Sequence, residues 1–144
     1  MTRRLVTTVA ALVAILLGTA CAPEALPTPQ FFKVDVYLDP APAELAAWQI
    51  EVRDTAGVAE LVSVEGGEHP AFAEAPSYDP EAIEQHRIVL AAYQLEVGGP
   101  KTRTRVATLH FAQELVGQPD FVAELIAATD ADGRRIDARV EIEP

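Results

Sequence analysis

From Phe31 to Asp39 the chain reads FFKVDVYLD, and every second residue is apolar. Phe32, Val34, Val36 and Leu38 fall on one side, and Lys33, Asp35, Tyr37 and Asp39 on the other. Successive side chains of a β-strand point to opposite faces, so this alternation predicts a strand with one face buried and one face wet. The pattern returns in LAAWQIEVR, which sets Ala46, Trp48, Ile50 and Val52 against Gln49, Glu51 and Arg53. Asp54-Thr55-Ala56-Gly57 reads as a turn, and VAELVSVE as a third strand.

Further along, RIVLAAYQLE predicts a strand buried on both faces over much of its length, ended by Gly98-Gly99-Pro100. RTRVATLHFAQ and FVAELIAAT are two more strands, separated by Gly117-Gln118-Pro119-Asp120. ADGRRIDARVEIE carries a type I′ hairpin signal at Asp132-Gly133 and a closing strand with Ile136, Ala138, Val140 and Ile142 inward. Residues 66–80 hold Gly66, Gly67, Pro70, Pro76 and Pro80, which predicts one long surface loop. Within it, Asp79 before Pro80 suits the cap of a single short helical turn. At least seven half-buried strands in a chain of this size predict an all-β antiparallel sandwich of jelly-roll type over residues 31–144.

Composition narrows the function classes. The formal net charge is −11, and more negative still without Arg3 and Arg4. Nucleic acid is a poor partner for such a surface, because its phosphates demand basic neutralisation. The single cysteine is Cys21, so the folded part has no disulfide and must be held by its core.

The N-terminal stretch predicts export. Met1-Thr2-Arg3-Arg4 is basic, Leu5 to Leu17 is an uncharged, mostly apolar run of 13 residues, and Gly18-Thr19-Ala20 precede Cys21. The run is too short to span a bilayer, which takes about 20 helical residues. It fits a signal peptide over residues 1–21. The pattern resembles that of bacterial lipoproteins, which implies lipidation at Cys21 and attachment to a membrane at the cell envelope. Gly18 stands where the usual lipobox has a branched aliphatic residue. The alternative is cleavage after Ala20 or Ala22, giving a secreted or periplasmic soluble protein. Residues 22–30, with Pro23, Pro27 and Pro29, then serve as an extended tether.

The order of strands resembles the cohesin-type β-sandwich, a fold shared with related carbohydrate-binding modules. The resemblance rests on VDVYLD, on LAAWQIEVRDTAGVAELVSVEGG and on RVATLHF. A strand with a buried aromatic, an acidic turn and a strand ending in V-x-x-G are matched by Trp48, Asp54, and Val64 with Gly66-Gly67. Arg53-Asp54-Thr55 replaces the usual Tyr-Asp-Pro of that turn. The resemblance implies the fold, and no dockerin-contact residues carry over.

Candidate chemistry is sparse. Asp130-Ala131-Asp132-Gly133 lacks the remaining ligands of a calcium loop, since Ala128 and Arg139 occupy their positions. Glu65, Glu68, His69 and Glu74 crowd the long loop, with Asp79, Glu81, Glu84 and His86 behind, in no metal-ligand spacing. His110 sits on the face opposite Leu109 and Phe111, and no G-x-S-x-G occurs. No catalytic residue and no cofactor is implied. The loop is the place to look for a ligand site, with Glu68, His69, Phe72 and Tyr78 as its residues. The alternative for Phe72 and Tyr78 is that they pin the loop to the sandwich.

The expectation is therefore a non-catalytic exported binding module at the cell envelope, with an envelope protein or polysaccharide as partner. A carbohydrate-binding module using the 66–80 loop is one alternative. A small metal-dependent envelope enzyme is the other.

Overall fold

The computed structural model describes residues 28–83, 85–96, 98–113 and 116–144. The expected signal segment, Cys21 and the tether as far as Pro27 lie outside them. Among the described residues eight strands follow one another: β1 (Gln30–Asp39), β2 (Ala47–Asp54), β3 (Ala59–Gly66), β4 (Ser77–Tyr78), β5 (Arg87–Tyr93), β6 (Thr104–Gln113), β7 (Phe121–Thr129) and β8 (Arg139–Glu143). They form two four-stranded sheets, β3-β6-β1-β8 and β4-β5-β2-β7, with every pairing antiparallel. The expected all-β sandwich is what the chain adopts.

Alternation does the sorting. Val34, Val36 and Leu38 of β1 and Trp48, Ile50 and Val52 of β2 are buried between the sheets, together with Ile88 and Leu90 of β5. Val106, Leu109 and Phe111 of β6 complete the layer. Each such side chain contributes about 1.5–3 kcal/mol on leaving water, and this stabilises a fold that has no disulfide. Phe111 stacks on Phe32 at 5.5 Å and meets Phe121 at 4.8 Å, closing one end of the sandwich.

Four local expectations need correction. First, β5 alternates: Ile88 and Leu90 are buried, while Arg87, Val89 and Ala91 are partly open. The strand covered on both faces is β6, whose outward Thr108 is 3% exposed under the side chains of Asp35 and Arg105.

Second, residues 66–80 are not wholly loop. They contain a 3-10 turn at Pro70–Phe72 and the short strand β4, and they lead into the helical turn α1 (Pro80–Ile83). Asp79 Oδ1 accepts the Glu81 N–H there, as the cap expectation required.

Third, the turn at Asp132-Gly133 is not type I′, because Gly133 has φ +75° and Asp132 is not in the left-handed region. Gly133 N–H bonds to Asp130 C=O and Asp130 N–H to Arg134 C=O. That is a type I turn with a glycine bulge.

Fourth, the arm after this turn does not continue as a strand beside β7. Only the bridge between Thr129 and Arg135 forms, and the chain then crosses to the other sheet, where β8 pairs with β1. Val140 and Ile142 still pack on the core, as do Ile136 and Ala138 ahead of the strand.

Candidate functional site

The segment after β3 is held down by close contact. A Cβ on Gly66 would collide with the Ala73 carbonyl, and one on Gly67 with the Arg105 carbonyl. Gly66 therefore lets the segment fold back on itself at Ala73, and Gly67 lets it pass tightly over β6. Glu68 Oε1 accepts the Arg105 N–H at 2.9 Å and the Thr104 hydroxyl at 3.2 Å. His69 Nδ1 accepts the Ala71 N–H at 3.2 Å and so caps the 3-10 turn. That turn drives Phe72 into the core, where it lies edge-on to Trp48 at 6.2 Å.

Of the four residues expected to bind a ligand, three hold the loop itself. Phe72 is 3% exposed and cannot be a stacking platform; this corrects its assignment to an exposed site. The carboxylate of Glu68 and the Nδ1 of His69 are committed to backbone donors. Tyr78 remains half-exposed on β4, opposite Leu90.

The acidic residues of the loop do not converge. Glu65 lies 3.1 Å from His110 Nε2 on the outer face of β3 and β6, although the N–H does not point along that line. Glu74 lines a groove of about 590 Å³ with Pro76, Ser77, Tyr93 and Glu96. Among the described residues no group of three or more His, Cys, Asp or Glu could hold a metal ion. Asp130, in the candidate calcium turn, spends one oxygen on the N–H groups of Asp132 and Arg134.

Asp54 is the buried polar centre that sequence reasoning left as a turn residue. It is 6% exposed, and it accepts the N–H groups of Ala56, Val58, Ala59 and Asp120 at 2.8–3.1 Å. Burial pushes its carboxyl up, but the four amide donors outweigh that and hold it below the ordinary carboxylate range. An Asp followed by T-A-G at a strand exit is the local signal for such a turn. A cleft of about 500 Å³ opens beside it, between Val58, Leu61, Ile83, His86 and Phe111. With its oxygens committed to backbone amides, Asp54 is a structural anchor of that cleft.

The two outer faces differ in kind. On the β3-β6-β1-β8 sheet, Lys33 pairs with Asp35 at 2.7 Å, and Asp35 accepts the Thr108 hydroxyl at 2.6 Å. Arg103 bridges Glu141 and Glu143 and lies 3.8 Å over the Tyr37 ring. Paired charges cover most of this face, and Phe31 (75%) and Val62 (56%) stand exposed at one end of it. On the β4-β5-β2-β7 sheet the charges gather in one band, where Glu51 meets Arg53 at 3.0 Å and Arg87 at 2.7 Å. Around that band stand exposed apolar groups: Tyr93 (72%), Val122 (47%) and Ile126 (38%). Ala91, Gln49 and Ala127 share one cross-strand row between them.

No protein-family profile matches the chain, and no curated protein matches it. Two solved structures share its architecture. One is a chain of the type I cohesin–dockerin complex Coh-OlpA–Doc918 from Clostridium thermocellum. Its TM-score is 0.59 at 16% identity, over 75% of this chain and 82% of that one. The other is a non-cellulosomal cohesin from the hyperthermophilic archaeon Archaeoglobus fulgidus. Its TM-score is 0.57 at 13% identity, over 77% of this chain and 75% of that one.

The fold is cohesin-like. The segments that carried the resemblance lie in the cohesin-like framework as expected. VDVYLD lies within β1, AWQIEVRD is β2, and VATLHF runs along the centre of β6.

Proposed function

We propose that this chain is a non-catalytic protein-binding module, and that its partner docks on the outer face of the β4-β5-β2-β7 sheet. The observation that carries this reading is the contrast between the two faces. On the β3-β6-β1-β8 sheet ion pairs hold most of the outer face and the exposed apolar groups, Phe31 and Val62, sit together at one end, while the other sheet exposes Tyr93, Val122 and Ile126 along its length, beside the row of Ala91, Gln49 and Ala127. Exposed apolar groups spread over one open sheet face, with an aromatic among them, are what protein interfaces use. The cohesin-like fold supports a protein partner, since the Clostridium thermocellum structure is that of a cohesin–dockerin complex. Dockerin itself is not carried over to this chain.

The proposed location is the bacterial cell envelope, with Cys21 as a lipid anchor. The basic start, the apolar run and the small residues before Cys21 support it. Two or more acyl chains on one residue give stable attachment where a single chain would not.

Tyr93→Ala with Ile126→Asp is the test of the docking face. It should abolish capture of the partner that the unaltered chain recovers from native envelopes, and leave folding intact. Capture at the original level would remove this face from the proposal.

A second reading keeps one observation. Tyr93 lines the 590 Å³ groove beside the 70–77 segment, so a sugar ring has a candidate platform there, while Tyr78, paired with Leu90, lies on the other side of its sheet. Glycan binding lost on Tyr93→Ala and kept on Tyr78→Ala would favour that reading.

A further inference from the structure

Four strands of the sandwich are sheet edges: β3, β8, β4 and β7. An edge strand offers unpaired backbone groups to another chain, and proteins blunt such edges with charges, bulges, prolines or short length. Here β3 has an irregularity between Leu61 and Ser63, β4 has two residues, and β8 alternates Arg139, Glu141 and Glu143. β7 has its own irregularity at Ile126, but the stretch before it, FVAEL, runs in unbroken register with one charge, no proline and no glycine, and exposes Val122.

The far half of β7 is covered by the chain's own return arm. Ile136 N–H bonds to Ala128 C=O, and the Arg135 guanidinium donates to Ile126 C=O at 3.0 Å. The open stretch is therefore Phe121–Leu125. Just ahead of it, Thr55 N–H bonds to Asp120 C=O, so the alternation of an antiparallel ladder assigns Val122 and Glu124 to bonds with β2. The backbone groups of Phe121, Ala123 and Leu125 then point away from the sheet. Among the described residues nothing outside the strand ladder bonds to them.

We infer that this edge pairs with the same edge of a second copy, antiparallel, about a two-fold axis through Ala123. In that register Phe121 meets Leu125 of the other copy, and Val122 meets Glu124. Charge complementarity selects this occupant. Val122 shares a cross-strand row with Arg53 and Arg87, and Glu124 shares one with Glu51 and Val89. The two-fold runs the basic row of each copy into the acidic row of the other, so the contact is self-complementary twice over. Within one chain Arg53 holds Glu51 at 3.0 Å and approaches Glu124 only to 3.8 Å, which leaves the exposed Glu124 carboxylate to reach across to the basic row of the other copy. Pairing closes the assembly, because the outer edges that remain in the joined sheet are the two-residue β4 strands.

Sedimentation of the purified chain, carrying Cys21→Ser to remove its only thiol, tests this directly. The mass should double as concentration rises through the micromolar range, and the midpoint should move upward with salt. Glu124→Arg, an exposed substitution, should weaken the dimer at least tenfold, and Ala123→Pro should abolish it. If Ala123→Pro does not fold, Glu124→Arg decides. Val122→Cys combined with Glu124→Cys should oxidise to a covalent dimer. Facing non-hydrogen-bonded positions have Cα atoms about 4.5 Å apart, within disulfide reach. A monomer at every concentration would overturn the inference. So would a dimer indifferent to Glu124→Arg with no cross-link, or an edge that pairs only with an added extended peptide.

Discussion

The carboxylate of Asp54 accepts the backbone N–H of Asp120 at 3.1 Å, joining the end of β2 to the segment that leads into β7. The same group also closes the β2–β3 turn through the N–H groups of Ala56, Val58 and Ala59. One side chain thereby fixes two connections distant in sequence. An amide in its place keeps one acceptor oxygen and adds a donor where donors already converge. Hydrogen bonds to a charged group contribute about 1.5–3 kcal/mol each. Asp54→Asn should therefore destabilise the fold by about 2–4 kcal/mol in denaturant titration.

Asp54 also sets a pH dependence. Its carboxyl is held low in the folded state, so its stabilisation is complete above the unfolded carboxylate value of about 3.9 and is lost as pH falls through the lower folded value. Asp35 adds to this with the same sign. Burial raises it, and its bonds to Lys33 and Thr108 together more than offset that. Unfolding measured from pH 6 to pH 2 should show stability falling in acid, and the fall should be shallower in Asp54→Asn.

Trp48 and Phe72 meet edge-on at the end of the sandwich away from the Phe32–Phe111 pair, and both are 3% exposed. Truncating a large buried aromatic costs about 3–5 kcal/mol. Trp48→Ala should fall in that range, and Phe72→Ala should also expose residues 70–77 to proteolysis. The emission of the lone tryptophan should be that of a buried indole, shifting red in Phe72→Ala.

The anchor proposal is separable from the fold. Cys21→Ser should move the chain from the membrane fraction to the soluble fraction of cells that express it. An unchanged distribution would remove lipidation and leave the sandwich unaffected.

The strands were legible in the sequence because alternation is a local consequence of burial. Val34, Val36 and Leu38, and then Trp48, Ile50 and Val52, announce their inward face residue by residue. What was not legible depends on distant partners. Phe72 sits in an irregular segment with no period to reveal its side, and its burial follows from Trp48 and from the glycines that press the loop onto β6. The fourth donor to Asp54 comes from Asp120, which no local motif links to it. The crossing of the chain after Arg135 is likewise hidden, since Ile136 and Ala138 keep the alternation of a strand while leaving β7. The candidate site was the least legible part. The loop drew attention by composition, yet its polar side chains serve the loop, and the exposed apolar groups stand on the sheet.

Photo-crosslinking in intact cells addresses the docking face most directly. A photoreactive residue at Gln49 or Tyr93, on the outer face of the β4-β5-β2-β7 sheet, should capture one and the same protein. The same residue at Lys33 or Tyr37, on the ion-paired face, should not. Tyr93→Ala should weaken that complex by about 30-fold or more, as expected where an exposed aromatic anchors an interface with about 2 kcal/mol. Capture from Lys33 and Tyr37 but not from Gln49 and Tyr93 would contradict the assignment of the binding face.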